Sequence, residues 1–436
     1  MKKQIRDDEM EILFKVLDDI LGIKEILGDI KIENVVMDSR KAGKDSVFFA
    51  INNGNNYINS VLENGASLVI ADNYSGSDKR VVKVKDTVKA MQDIAKEYRK
   101  RLNIKVIAIT GSNGKTTTKD MIYSILSERY NTAKTMGNYN NHIGLPYTIL
   151  QLDEKIEAVV LEMGMSGFGE IDLLSDIAQP DIGVITNIGD SHLEFLKTRE
   201  NVFKAKTELV KYVSSENLYL DGDDFYLKNL SGNKIGFGEI NNFKIEDFCD
   251  DEEGMSFTIN KEEYRLHLNG KHNALNAGIA IAVGKSLGLS HKEIARGLEN
   301  LDLTPMRFQK IEKENIVYIN DAYNASPVSM VCSLDTFDKL YNDRVKIAVL
   351  GDMLELGDKE IEYHENVINK VLSIQVDKIY LYGERMKKAM ENIDSDKKKI
   401  SCFSDKDKIA ETISKEEKAA VLLKGSRGMK LEEIIK

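Results

Sequence analysis

The chain has 436 residues, 42% of them hydrophobic, enough for ordinary globular cores and for about three domains at roughly 150 residues each. Its 61 Lys and Arg against 71 Asp and Glu leave a net charge of −10 with no basic block, which argues against nucleic-acid and anionic-membrane binding. No apolar run approaches the ~18 residues of a membrane span, so no membrane insertion is expected, and Cys249, Cys332 and Cys402, far apart and without metal spacing, fit a reducing cytoplasm.

The opening stretch MKKQIRDDEMEILFKVL sets acids behind its basic residues and offers no small-residue cleavage site, so it is not read as a signal peptide. Residues 1–100 then read as a small α/β unit. Short apolar runs at Val35–Met37, Val47–Ile51 and Ser67–Ala71 predict strands, and Gly54–Asn59 predicts a loop. From residue 104 the pattern alternates strand and helix, with strands at Ile104–Thr110, Ile156–Met163, Ile182–Thr186 and Leu218–Asp221. Continuous apolar strands joined by helices imply a parallel sheet covered on both faces. Residues 231–270 turn polar and predict hairpins at the sheet edge, after which His272–Leu287 returns to helix. A third region starts near Pro305 and repeats the alternation at Val317–Asn320, Lys346–Gly351, Lys378–Tyr382, Lys399–Phe403 and Ala419–Lys424, predicting a doubly wound sheet of its own.

The chemistry concentrates at the carboxyl ends of these strands. TGSNGKTTT (Thr110–Thr118) lies between a strand and a helical pattern, the context of a phosphate-binding turn. Gly111 and Gly114 admit backbone N–H groups to an anion, Lys115 supplies a point charge and the Thr116 hydroxyl can ligate Mg²⁺. The spacing, G-x-x-G-K-T, is shorter than the common P-loop. GNYNNHIGLP carries Asn138, Asn140 and Asn141, by composition as compatible with a polar surface loop as with a ligand-facing one, and its position on the segment leaving the phosphate-loop helix favours the latter. Glu162, near a strand end, is well placed for Mg²⁺. Asp190, His192 and Glu194 follow the next strand; a histidine there can ligate a metal, bond phosphate or serve structure alone. Lys206 falls in a helical pattern and reads by itself as solvent-exposed. In the third region Asp321, in DAYNASPVSM, suits a ribose or a metal-bound phosphate, Arg307 could neutralise a transferring phosphoryl group, and Lys424–Met429 (KGSRGM) could cradle a carboxylate.

Taken in order, TGSNGKTTTK, GNYNNHIGLP, LEMGMSGFGEI, TNIGDSHLE, AKTEL, GKHNALNA, PMRF, DAYNASP, GDMLELG and KGSRGM, with Asp38-Ser39-Arg40 upstream, resemble the Mur ligase family, which builds the peptide of peptidoglycan precursors. The resemblance implies an α/β protein of three domains: a small N-terminal α/β domain for a UDP substrate (1–100), a central P-loop parallel-sheet ATP-binding domain (101–304) and a C-terminal Rossmann-like doubly wound domain (305–436). DAYNASPVSM followed by GDMLELG is most similar to the last ligase of the series. That likeness implies a cytoplasmic, monomeric enzyme that uses ATP and Mg²⁺ to add D-alanyl-D-alanine to UDP-N-acetylmuramoyl-tripeptide. Folylpolyglutamate synthase and the neighbouring Mur ligases are related alternatives.

By the same resemblance, Gly111, Ser112, Asn113, Gly114, Lys115, Thr116 and Thr117 cradle the ATP phosphates, and Asn276, Arg307, Asp321 and Asn324 contact the nucleotide. Thr116, Glu162, His192 and a carbamylated Lys206 are implied at the metal, while Lys115, Lys206, His192 and Arg307 carry the catalysis. Asp38, Ser39, Arg40, Asn138 and Asn141 are implied to hold the acceptor. The chain departs from the family where related first domains carry G-x-x-x-D-G-H: Ser60 stands in place of the histidine.

Overall fold

The computed structural model describes residues 10–28, 30–393 and 399–436; most of the opening stretch, Met1–Glu9, lies outside them. Among the described residues nineteen strands build three sheets. The first holds β1 (Asn34–Val36), β2 (Ser46–Phe49), β3 (Leu68–Ala71) and β4 (Val81–Lys83), all parallel, in sequential order. The sequence reading finds three of them and misses β4, whose short run has only one buried residue. It also reads Gly54–Asn59 as a loop. The structure makes it helical, as a 3₁₀ turn Asn52–Tyr57 followed by an α-helix Ile58–Glu63. Ile58, Val61 and Leu62 supply the buried face at helical spacing, and only Ile58 of them falls within the predicted loop.

The second sheet comprises β5 (Lys105–Thr110), β6 (Thr132–Lys134), β7 (Ala158–Glu162), β8 (Ile182–Ile185), β9 (Leu218–Asp221), β10 (Asn233–Gly236), β11 (Phe243–Asp251), β12 (Gly254–Ile259) and β13 (Glu262–Leu266). Its order is β13-β12-β11-β10-β9-β8-β5-β7-β6. The expected hairpins at this edge are β11–β12 and β12–β13, both antiparallel, whereas β10 pairs parallel to β9 and β11. β7 and then β6 lie on one side of β5 and β8 on the other, so the strand order switches beside β5. Such a switch opens a crevice at the strands' carboxyl ends. The loops after β5, β7 and β8 meet there.

The third sheet, β14 (Gln309–Lys313), β15 (Ile316–Asn320), β16 (Val345–Gly351), β17 (Lys378–Tyr382), β18 (Ile400–Phe403) and β19 (Ala419–Lys424), runs β14-β15-β19-β16-β17-β18 and is parallel apart from β14. β19 is followed by two 3₁₀ turns, Arg427–Met429 and Leu431–Ile434. One buried apolar cluster joins Val47, Phe49 and Ile70 of the first sheet to Val106, Ala108 and Leu161 of the second. Another joins Ile107, Ile109 and Met121 to Phe308, Ile319 and Leu350. The central sheet is therefore packed on one face against the first unit and on the other towards the third, and the crevice lies where the units meet. Among the described residues no helix is long and apolar enough to cross a membrane.

Candidate active site

β5 is a buried β-branched run that stops at Thr110, and the chain reverses through Gly111 (φ 148°) and Gly114 (φ 81°) into the helix Lys115–Ser127. Both glycines hold a φ that side chains rarely adopt, and both are crowded. A Cβ on Gly111 would stand 1.9 Å from Thr186 Oγ1, and one on Gly114 would stand 2.5 Å from Asn276 Oδ1. Asn276 thus lies directly on the turn, on the buried side of the helix Lys271–Ser286. The turn is braced from β8: Thr186 Oγ1 donates to the Asn113 carbonyl (2.6 Å). Asn187 accepts from Asn113 N (2.9 Å) through Oδ1 and donates to its carbonyl (3.0 Å) through Nδ2. Ser112 Oγ accepts from Gly189 N (2.8 Å) and Ser191 Oγ (2.9 Å). The sequence reading missed Thr186 and Asn187. Their signal was available, since they leave the strand adjacent to β5 at its carboxyl end.

Two ammonium groups converge on one carbonyl oxygen. Lys115 Nζ and Lys206 Nζ each donate to Gly111 O at 2.9 Å. The exposed position that helix periodicity suggests for Lys206 is corrected here: the side chain is 1% exposed. Burial, reinforced by the charge of Lys115, holds its ammonium well below the usual lysine range. Burial also lowers Lys115, against the opposing pull of Glu162. A cation buried as Lys206 is, without a carboxylate partner, costs stability, and a site that keeps it is built for an anion.

Glu162 closes β7 with its side chain buried. Its Oε2 accepts from Thr116 Oγ1 (2.9 Å) and its Oε1 from Asn140 Nδ2 (2.9 Å), while Lys119 Nζ lies 3.8 Å from Oε2. Of the three loop asparagines it is Asn140 that reaches this carboxylate. Asn138 is exposed. Asn141 uses Oδ1 to accept from the backbone N–H of Ile143 (3.1 Å) and Gly144 (2.9 Å), at the start of the helix Gly144–Leu150. Replacing Asn141 by alanine is expected to cost about 1 kcal/mol of folding stability, a typical capping value, with nucleotide affinity unchanged. Denaturant unfolding and calorimetry on the variant check both halves.

Beyond β8, Asp190 pairs with Arg199 through Nε (2.5 Å) and Nη2, and Glu194 is exposed. His192 adopts φ 55° and sets Nδ1 3.4 Å from Glu355 Oε2, a residue that follows β16 in the third unit. No three His, Cys, Asp or Glu side chains gather around one point among the described residues. The oxygen pair fit for a hard cation is Thr116 Oγ1 with Glu162, at the first turn of the phosphate-loop helix.

The third unit reaches the turn at two places. Arg307 Nη2 donates to Thr116 Oγ1 (3.2 Å) and Ser326 Oγ donates to Asn113 Oδ1 (2.7 Å). Ser326 also caps the helix Pro327–Lys339, accepting from Ser329 N, so one hydroxyl serves helix and contact together. Asp321 is occupied within its own unit: Oδ1 accepts from Phe308 N (3.1 Å), and Oδ2 from Ser333 Oγ (2.5 Å) and Lys424 Nζ (2.7 Å). Asn324 is exposed, its carbonyl 3.3 Å from Lys424 Nζ. The cations of KGSRGM are likewise committed, Lys424 to Asp321 and Arg427 to Glu432, and Ser426 Oγ accepts from Leu354 N (3.0 Å). The supposed anion cradle is, as it stands, a self-paired turn.

In the first unit Asp38 caps the 3₁₀ turn Ser39–Lys41 and takes the Arg40 guanidinium at Oδ1 (2.9 Å) and Oδ2 (2.7 Å). The Arg40 bonds bring the Asp38 carboxyl down to about 2. Arg40 is exposed and Ser39 half-buried. Ser60 Oγ donates to the Tyr57 carbonyl (2.8 Å) and so closes a helical turn.

A glycine turn at a topological switch, with one buried lysine and one half-buried lysine, an arginine reaching in from a separate sheet and an acid–hydroxyl pair beside it, defines a nucleotide-binding core able to transfer phosphoryl groups. Residues 109–284 match the Mur ligase middle domain and 306–427 the Mur ligase glutamate ligase domain. The UDP-N-acetylmuramoyl-tripeptide--D-alanyl-D-alanine ligase of Bacillus subtilis (strain 168) is 38% identical over 425 residues, 93% of each chain. A crystal structure of MurF from Acinetobacter baumannii superposes with a TM-score of 0.87 at 27% identity, covering 97% of both chains. The MurF ligase of Thermotoga maritima in complex with ADP gives 0.82 at 29% identity, covering 92% of this chain and 96% of that one. The chain belongs to the Mur ligase family.

Proposed function

We propose that this chain is a cytoplasmic ATP-dependent amide ligase that joins D-alanyl-D-alanine to UDP-N-acetylmuramoyl-tripeptide. The observation that carries the reading is the convergence of Lys115, Lys206 and Arg307 on a glycine turn beside Glu162. That convergence occurs in a chain 38% identical, over 93% of its length, to a relative bearing that ligase's name. The three sheets support a division into a UDP-substrate domain (1–100), an ATP-binding domain (101–304) and a C-terminal Rossmann-like domain (305–436).

A carboxylate does not acylate an amine at neutral pH, because oxide is a poor leaving group. Attack of the tripeptide carboxylate oxygen on the γ-phosphorus forms one P–O bond and breaks another, releasing ADP and leaving an acyl phosphate. The amine of the dipeptide then attacks the acyl carbon, phosphate departs, and the amine loses a proton to give the amide. Positioning and charge stabilisation dominate such transfers. In this site Lys115 lies against the phosphates and Arg307 meets charge that develops on the transferring group. Thr116 and Glu162 would hold Mg²⁺ directly, with His192 and carbamylated Lys206 completing its surroundings; bound there, the ion neutralises phosphate charge. Carbamylation requires a neutral amine, which burial of Lys206 favours. The Arg307 and Ser326 contacts tie the third unit to the turn, an arrangement that would keep water from a hydrolysable intermediate.

The test is phosphate release from ATP and Mg²⁺ with UDP-N-acetylmuramoyl-tripeptide, with and without D-alanyl-D-alanine, alongside a panel of single amino acids. Release that requires the dipeptide, with the matching mass gain on the UDP product, is expected. Release supported instead by glutamate, lysine or diaminopimelate would assign the chain to a neighbouring ligase.

A further inference from the structure

The segment that delivers Arg307 has an uncommon shape. Met306 (φ 65°) and Phe308 (φ 52°), on either side of it, both lie in the left-handed region, which side chains bearing a Cβ disfavour. The segment is held there by specific partners. Met306 N donates to Gln309 Oε1 (3.1 Å), Tyr323 N donates to the Met306 carbonyl (3.2 Å), and Phe308 N donates to Asp321 Oδ1 (3.1 Å). Backbone strain held by surrounding bonds is a feature of functional sites. The guanidinium then lies over the ring of Tyr323, Cζ 3.9 Å from the centroid. Its Nη2 reaches Thr116 Oγ1 (3.2 Å), and its Nε is buried with no protein partner among the described residues.

A guanidinium is planar and its donors lie in its plane. An aromatic face beneath it therefore leaves the arginine free to donate only sideways. We propose that Tyr323 is a positioning residue for Arg307: its ring fixes the guanidinium plane so that Nη2 and the unpartnered Nε face the oxygens of the phosphoryl group in transfer. The inference rests on the ligase reading for the identity of that group. Its consequence is that Tyr323 contributes to binding a transferring phosphoryl group and not to binding the nucleotide that remains.

Titration calorimetry with Mg²⁺ and either ADP alone or ADP plus aluminium fluoride, a mimic of the group in transfer, tests this without any acceptor. A failed ligase assay would therefore leave the result readable. Tyr323→Leu is expected to weaken the fluoride complex about tenfold, in keeping with a desolvated cation–π contact, and to leave ADP affinity unchanged. Tyr323→Phe should behave as the parent protein. In an Arg307→Met background Tyr323→Leu should have no further effect. Retained ADP affinity also reports that each variant is folded. An equal loss for ADP alone, or the same loss without Arg307, would overturn the proposal.

Discussion

Lys206→Ala is expected to lower kcat/KM for ligation by about a thousandfold or more, the upper end of what one preorganised charge supplies. Geometry gives the ammonium no carboxylate partner among the described residues, only a carbonyl. It is 1% exposed, its polar contact among the described residues is the Gly111 carbonyl, and the charge that acts on it is another lysine. The same facts predict a gain in stability. With its folded value depressed below an unfolded value of about 10.4, the native chain binds fewer protons between the two, so stability rises with pH across that window and is lowest beneath it. In CO₂-free buffer near neutral pH, Lys206→Met should therefore melt higher than the parent chain while remaining inactive. Acetate or propionate should return part of the activity of Lys206→Ala by supplying the missing anion. Steady-state ligation and thermal melts measure all three effects, and full activity in Lys206→Ala would remove the residue from the mechanism.

The second large effect is expected from a single methyl group. Gly111→Ala places a carbon 1.9 Å from Thr186 Oγ1 and 3.1 Å from its backbone nitrogen, at φ 148°. No rotation of the new side chain avoids this, because a Cβ has no rotamer. Thr186 must swing away, and with it goes the hydrogen bond that holds Asn113. We expect ATP affinity to fall by roughly a hundredfold, a loss of about 3 kcal/mol, in the range of a disrupted buried network. The double variant with Thr186→Ala should recover part of that, since the oxygen in closest conflict is gone. Calorimetry with ATP and Mg²⁺ measures both. Unchanged affinity in Gly111→Ala would mean that the turn is not the phosphate site.

How much of this was legible in the sequence depends on the range of the interaction concerned. β5, β9, β17 and β19 announce themselves because a strand buried on both faces is a near-continuous apolar run, polar only at its ends. β6, β14 and the 3₁₀ turn at Asn52–Tyr57 do not, since their polar residues fold through tertiary pairing and carry no periodicity. The phosphate turn was readable as a local device of glycines between strand and helix. Local sequence could not distinguish Asn140, which reaches a carboxylate on another strand, from Asn141, which caps its own helix. Nor could it bury Lys206, whose environment is built by a carbonyl 95 residues away. Asp321 and Lys424 each looked ligand-facing alone, and only the parallel pairing of β15 with β19 reveals that they neutralise each other.

The measurement that bears most directly on the account follows oxygen. UDP-N-acetylmuramoyl-tripeptide labelled with ¹⁸O in its terminal carboxylate is turned over with ATP, Mg²⁺ and D-alanyl-D-alanine, and the released phosphate is analysed by mass. Attack of that carboxylate on the γ-phosphorus predicts one ¹⁸O in each phosphate released, in step with amide formation. Amide formed with unlabelled phosphate, or phosphate released without the dipeptide being joined, would contradict it.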